Sequence, residues 1–367
     1  MVDAAIEATL ALNKSAEIVL PKIAESIDLH LQPNRAEYRW TPDYRSFAQQ
    51  PARAKLASLL NGPFQDHRFW RVSNIDTIFD VSGFYIGGGH DFERAQRIVE
   101  HYRAGVSRGA KLIVLPKTFG PFRDHRERAL VKELVALSSA FFCRDEISRG
   151  SVLEIAGEKY SERVKLGFDY TASVPGAHPS AQVPSRAAAI IPNIRMIDRT
   201  EQTVSKTFLQ FMADLTNVAR DKGLTPIIVL QQPDIDKRAA AEILALAEPG
   251  IEVFSSHDHR EVKGFISRCE VVFSARFHGI LNAISSAVPV IGLGWNHKYI
   301  EMMKSFDMER FFIDGERMLG LKGDGKEISN LIDDALRSKA EFSAAKVQHV
   351  GLAAQLWGDL SPLINPA

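Results

Sequence analysis

Between Thr77 and Asp314 the chain alternates short apolar runs with amphipathic stretches, and this alternation limits what it can fold into. TIFDVSGFYIGGG, from Thr77, reads as a strand ending in a glycine turn. DFERAQRIVEHYRAG reads as the helix that follows, with Phe92, Ile98 and Tyr102 near one face. The series continues through strands KLIVLP, AFFCRD and VKLGFD, separated by helices RERALVKELVALSS and EISRGSVLEIAG, the latter ending at Gly157. Such a β-α-β-α order predicts a parallel sheet covered by helices on both faces.

The stretch VPGAHPSAQVPSR, Val174 to Arg186, breaks the pattern with Pro, Ser, Gly and Ala and reads as a linker. A second alternating series follows, with strands AAAIIP, TPIIVLQQ, IEVFSS, EVVFSA, VPVIGLG and RFFID and helices between them. The segment from Ile328 to Trp357 is amphipathic and reads as helical. The expected architecture is therefore α/β: a Rossmann-like unit over 1–175, a linker over 176–186, and a second Rossmann-like unit over 187–345. A C-terminal helical segment over 346–367 is expected to return to the first unit. Two such units imply a cleft, with ligands at the C-terminal ends of strands. The first sixty or so residues are the least readable. MVDAAIEATLALNKSAEIVLPKIAESIDL and ARAKLASLLNG both look helical.

Composition narrows the function. Lys+Arg and Asp+Glu balance at 45 each, which argues against a broad nucleic-acid surface but leaves room for a local basic pocket. The two cysteines, Cys143 and Cys269, fall in or beside apolar elements, so no disulfide framework is implied. Glu7, Lys14 and Glu17 interrupt the first apolar run, and no run is apolar enough to span a bilayer. A cytoplasmic location is expected, with peripheral contact at the inner face of the membrane left open. No H-E-x-x-H, C-x-x-C or dense acidic cluster supports a metal, and no cofactor is expected.

Chemistry concentrates at strand ends. Arg276 and His278, in SARFHG, lie where a strand meets a helix. Two basic side chains at a helix N-terminus oppose the dipole unless an anion sits between them. Arg offers a planar fork of donors and His a proton near neutral pH, while Gly279 leaves room at the helix start. His297 and Lys298 follow the next strand and should reach the same rim. Gly87, Gly88 and Gly89 would let a backbone approach a phosphate, or form a tight turn. The dinucleotide fingerprint lacks its third glycine here, because Asp91 and Phe92 stand in that place. TFGPF reads as a Gly-Pro turn, trailed by Arg123 and His125. Arg144 and Asp145 end AFFCRD and face the expected cleft.

These residues resemble the polysaccharide pyruvyl transferases. SARFHGILNAISSAVPVIGL followed by Lys298 is similar to the family's R-[FL]-H segment and downstream lysine. YIGGG, LPKTFGPF, FFCRDEIS and LGFD match more weakly. The family's opening N-x-G-D-x-x segment has no visible counterpart. The resemblance implies two facing Rossmann-like domains of the GT-B glycosyltransferase architecture, with the acceptor side in the first and the donor side in the second. It implies transfer of a pyruvyl group from phosphoenolpyruvate, as a ketal, onto a sugar of a polysaccharide or of its lipid-linked precursor, releasing phosphate. Such chemistry belongs to exopolysaccharide, capsule or cell-envelope synthesis. Arg276 and His278 take the family's catalytic, donor-binding positions. Arg144, with Asp145 and Ser148 beside it, Gly88, Gly89, Gly279 and Lys298 take substrate-binding ones. The reaction needs a general base for each hydroxyl, which the sequence does not identify; Asp145 and Asp169 lie at strand ends. Two rivals remain at this level: a glycosyltransferase using a nucleotide sugar, and a non-catalytic member of a polysaccharide-assembly complex.

Overall fold

The structure is a computed structural model that describes residues 1–14, 16, 19–21, 39–41, 75–294, 297–321 and 323–364. The chain divides into two compact units, one of Met1–Tyr170 with Gln355–Ala367 and one of Thr171–Ala354. The expected helix over ARAKLASLLNG lies outside the described residues.

In the first unit, helix Val2–Leu12 precedes β1 (Val19–Pro21), which pairs in parallel with β2 (Arg39–Thr41). The continuous N-terminal helix expected from the sequence is thus corrected: Val19–Pro21 is a strand, closing on Pro21, which has no N–H for a helix. A parallel sheet follows, in the order β3 (Thr77–Asp80), β4 (Lys111–Lys117), β5 (Ser138–Cys143) and β6 (Val164–Leu166). Strand β3 stops sooner than TIFDVSGFYIGGG suggests. The Asp80 carboxylate accepts the Ser82 N–H at 3.0 Å and curls the chain out of the sheet. Helices Phe92–Val106, His125–Leu137 and Glu146–Ala156 each begin behind an aspartate, Asp91, Asp124 and Asp145, whose carboxylate accepts first-turn N–H groups. The core joins Val99, Leu112, Val114, Val131, Leu134, Phe141 and Val152. The end of the last helix belongs to this unit as well. Trp357 meets Phe79 and Tyr170 edge-on, and Lys111 Nζ donates to the Leu363 carbonyl at 3.0 Å.

The second unit is built on six parallel strands: β7 (Ala187–Ile191), β8 (Thr225–Leu230), β9 (Glu252–Ser255), β10 (Val271–Ser274), β11 (Val290–Leu293) and β12 (Phe312–Ile313). Their order is β12-β11-β10-β7-β8-β9. The chain moves outward from β7 to β9, returns to β10 beside β7, and then builds the other way. The C-terminal ends of β7 and β10 therefore border the crevice where strand order reverses, the place where open α/β sheets bind ligands. Strand β7 is buried at every residue, as a central parallel strand requires. The helical segment expected from Ile328 to Trp357 is formed by two helices, Gly325–Arg337 and Lys339–Ile364. The break falls at Ser338, whose hydroxyl turns back to the Asp334 carbonyl at 2.8 Å.

The segment after Tyr170 is fastened to helix His259–Ile266. The buried Lys263 ammonium donates to the carbonyls of Thr171 (3.1 Å) and Ala172 (3.2 Å), and Ala177 N–H donates to Arg260 O at 2.8 Å. A Cβ on Gly264 would stand 1.7 Å from the Ala177 carbonyl oxygen. Gly264→Ala is therefore expected to cost about 1–3 kcal/mol or more, as forcing an extra methyl into a close-packed contact does. Gly150 lies inside helix Glu146–Ala156, and a Cβ there would have nothing within 4 Å, so Gly150→Ala should instead stabilise. Denaturant midpoints of the two variants beside the parent protein check the opposite signs.

Candidate active site

In the second unit, β10 ends at Ser274, opposite Ile191 of β7. Arg276 is the N-cap residue of helix Phe277–Ser285, with extended backbone, so the helix starts within the R-F-H triplet. Gly279 fits because the strand and helix approach closely: its Cβ would lie 2.3 Å from Ser274 Oγ. That hydroxyl accepts Arg276 N–H at 3.1 Å and donates to Arg276 O at 2.9 Å. The glycine thus lets the turn close over Ser274.

The Arg276 side chain leans toward the end of β8 and the first turn of helix Pro233–Leu244. Its Nε donates to Asp236 Oδ2 at 2.9 Å, its Nη2 to Asp236 Oδ1, and its Nη1 to Gln232 Oε1 at 2.6 Å. Asp236 is fully buried and also accepts Ile194 N–H at 3.1 Å. Asn193, buried just past β7, donates to the Ala275 carbonyl at 2.9 Å, and Tyr299 O–H donates to the same oxygen at 3.2 Å. Phe277 is buried in the core, with its ring 5.6 Å from the half-buried His278 ring. Lys298 Nζ lies 5.9 Å from the Phe277 ring centre and 5.3 Å from that of Tyr299. The Ser274 turn thus sets Arg276, Phe277 and His278 at the end of β10, and Lys298, past β11, reaches the Phe277 ring. His297 begins helix His297–Lys304, adjacent to Lys298.

The first unit carries its own charged set at the strand ends. Arg144 Nη1 is 3.3 Å from Asp169 Oδ2, and its Nη2 donates to Thr118 Oγ1 at 2.8 Å. Asp145 is engaged as a cap, with Oδ1 accepting Ser148 N–H at 2.7 Å. Ser148 Oγ bonds both backbone groups of Phe119. Of the two aspartates noted in the sequence, Asp169 is the one paired with Arg144. Gly88 and Gly89 sit on an exposed loop, and protein lies where their side chains would be. A Cβ on Gly88 would meet the Phe84 ring at 2.6 Å, and one on Gly89 the Arg123 guanidinium at 3.0 Å. Gly87 packs on the backbone of the Gly120–Pro121 turn, which has a cis peptide bond.

Sequence reasoning missed Lys117 and Asp80. Lys117 Nζ lies 2.6 Å from Asp80 Oδ1 and 4.9 Å from the Tyr85 ring centre, and both charged side chains are buried. Tyr85 O–H donates to Asp80 Oδ2 at 3.0 Å. Burial pushes the lysine's pKa down, and Asp80 opposes that shift. Burial first, and Asp80 second, hold the Tyr85 and Tyr102 hydroxyls neutral well above their usual range. The signal in KLIVLPK was a lysine closing an otherwise apolar parallel strand. Asp236 and Gln232 were missed too, because an aspartate in a helix's first turn is ordinary dipole chemistry.

Solved structures share this fold. HepE from Anabaena in complex with UDP-glucose superposes with a TM-score of 0.56 at 13% identity, covering 98% of this chain and 95% of that one. The trehalose-6-phosphate synthase OtsA gives 0.52 at 9% identity, covering 100% and 95%. TarM matches at a TM-score of 0.46 and 12% identity over 70% of this chain, which spans about half of TarM, 51%. No curated protein matches. The first two define the class: two Rossmann-like α/β units of the GT-B type. Within that class the chain belongs to the polysaccharide pyruvyl transferase family, whose pattern covers residues 13–297. Among the described residues no helix is long and apolar enough to cross a membrane, and no cluster of His, Cys, Asp or Glu side chains is arranged to hold a metal.

Lys117→Met leaves Asp80 as a buried carboxylate without its cation, and is expected to destabilise the protein by about 3–5 kcal/mol. Adding Asp80→Asn removes that charge and keeps an acceptor for Ser82 N–H and Tyr85 O–H, so the double variant should regain part of the loss. Denaturation of the single and double variants measures both effects.

Proposed function

We propose that the protein moves the pyruvyl group of phosphoenolpyruvate onto a sugar of a polysaccharide, or of its lipid-linked precursor, as a cyclic ketal. The observation that carries this reading is the basic set Arg276, His278 and Lys298 at the β10 end, in a chain of this family. Phosphoenolpyruvate presents a carboxylate and a phosphate close together. A guanidinium and a helix N-terminus are the groups that hold such anions. Arg144 is proposed to bind substrate at the strand ends of the first unit, where the saccharide is placed in this reading.

The chemistry asks little beyond proton transfers. A proton added to the donor's methylene carbon makes the methyl group and leaves an oxocarbenium-like centre. One sugar hydroxyl attacks that centre, phosphate departs, and a second hydroxyl closes the ring. Of the two hydroxyl protons released, one replaces the proton taken up by carbon and the other leaves with phosphate. His278 is proposed as the acid that delivers a proton to the carbon or to the departing phosphate. Asp169 is the candidate carboxylate on the acceptor side.

Incubation with phosphoenolpyruvate and candidate saccharides, read by mass spectrometry, should show the added pyruvyl ketal. Thermal shifts should be larger with phosphoenolpyruvate than with nucleotide sugars, since a ligand stabilises the state it binds. His278→Ala should lose turnover by about 10²–10⁴-fold, the usual contribution of a general acid, while keeping donor binding. Normal turnover in His278→Gln would make His278 a packing residue.

A further inference from the structure

We propose that Asp236 is a positioning residue that holds Arg276 so that one side of its guanidinium is offered to an oxyanion. A guanidinium has five N–H donors. Asp236 takes two of them, on the Nε and Nη2 side, and Gln232 takes one from Nη1. Among the described residues this leaves one N–H on Nη1 and one on Nη2. The remaining Nη2 hydrogen points away from the Nε edge that Asp236 occupies. The Arg276 side chain is 14% exposed and Asp236 0%, so the carboxylate end of the pair is sealed and the arginine end reaches the surface.

Two consequences follow from that arrangement. First, the rotation of the guanidinium is set before any ligand arrives, because Asp236 is itself held by the Ile194 N–H at the end of β7. An oxyanion that docks finds donors already aimed, and the ordering cost of a long arginine side chain is met in the folded protein. Second, Asp236 balances the arginine's charge, so affinity at this point comes from direction more than from net charge. A planar carboxylate or a face of a phosphate fits two such N–H groups.

Asparagine at 236 would turn an N–H₂ toward the guanidinium, setting donor against donor, and the fork would rotate. The reaction assigned to the protein above is the setting for this inference, and the test separates the two. Wild type, Asp236→Asn, Asp236→Glu, Arg276→Ala and the Asp236→Asn/Arg276→Ala pair are titrated calorimetrically with phosphoenolpyruvate, inorganic phosphate and pyruvate. Circular dichroism confirms the fold of each. Asp236→Asn should raise the Kd for phosphoenolpyruvate about 30-fold, the loss expected when one member of a hydrogen-bonded charge pair is removed. In the Arg276→Ala background the same change should add nothing, which a merely structural role would not produce. Asp236→Glu keeps the charge and moves the carboxylate by one methylene, so it supplies the same comparison if Asp236→Asn does not fold. Whichever of phosphate and pyruvate loses more binding in Asp236→Asn is the oxyanion the arginine reads. Unchanged affinity in a folded Asp236 variant, equal losses with and without Arg276, or a wild type that binds none of the three anions would overturn the inference. A wild type that binds phosphate through Arg276 but not phosphoenolpyruvate would overturn the assigned donor and leave the positioning role standing.

Discussion

A carboxylate with no exposure to solvent persists as a charge only where a cation and further donors surround it. Asp236 meets that condition through the Ile194 N–H, which follows the neighbouring β7, and through Arg276, which follows β10 on the far side of the crevice. Three strand ends are thereby tied at one point: β8 through the helix that carries Asp236, β7 through Ile194, and β10 through Arg276. The sheet order brings these ends together, and the ion pair fixes the side chain at their centre. The first unit solves the same problem with other residues. Asp80 at the end of β3 is buried against Lys117 at the end of β4, with Tyr85 supplying an additional donor.

The two pairs differ in what they leave over. Lys117 is enclosed, with its ammonium beside Asp80 and the Tyr85 ring, and so ties the end of β3 to the end of β4. Arg276 keeps part of its guanidinium at the surface. A buried ion pair adds little net stability over an apolar pair of the same size. Its value at the β10 end lies in the direction it imposes on a side chain whose chemistry is needed at the crevice.

Most of the architecture was legible in the sequence because parallel strands buried on both faces leave unbroken apolar runs, and those runs were distinct from the amphipathic helices. The R-F-H triplet stood out because two basic residues at a helix start call for an anion, and for Arg276 the fold itself supplies one in Asp236. What escaped the reading were long-range pairings. Nothing local in PDID marks Asp236 as the partner of an arginine forty residues on, and the lysine of LPK reads as the polar end of a strand. The N-terminal helical reading held over Val2–Leu12 and failed at VLP, a stretch too short for any period to establish. The glycine run was ambiguous between ligand approach and turn, and the atoms found where its side chains would be, from Phe84, Gly120 and Arg123, all belong to the protein.

Lys263 gives the region after Tyr170 a meaning that its loop-like composition hides. The ammonium is buried, and its acceptors include the carbonyls of Thr171 and Ala172, while Gly264 seats Ala177 directly on the helix backbone. The segment from Thr171 to Arg186 is therefore part of the second unit's own structure, although the first strand of that unit begins only at Ala187. Excision at the visible start of β7 would strip the buried lysine of those two acceptors. Recombination between relatives, or separate expression of the second unit, has its natural seam before Thr171 and not at the proline-rich stretch that follows.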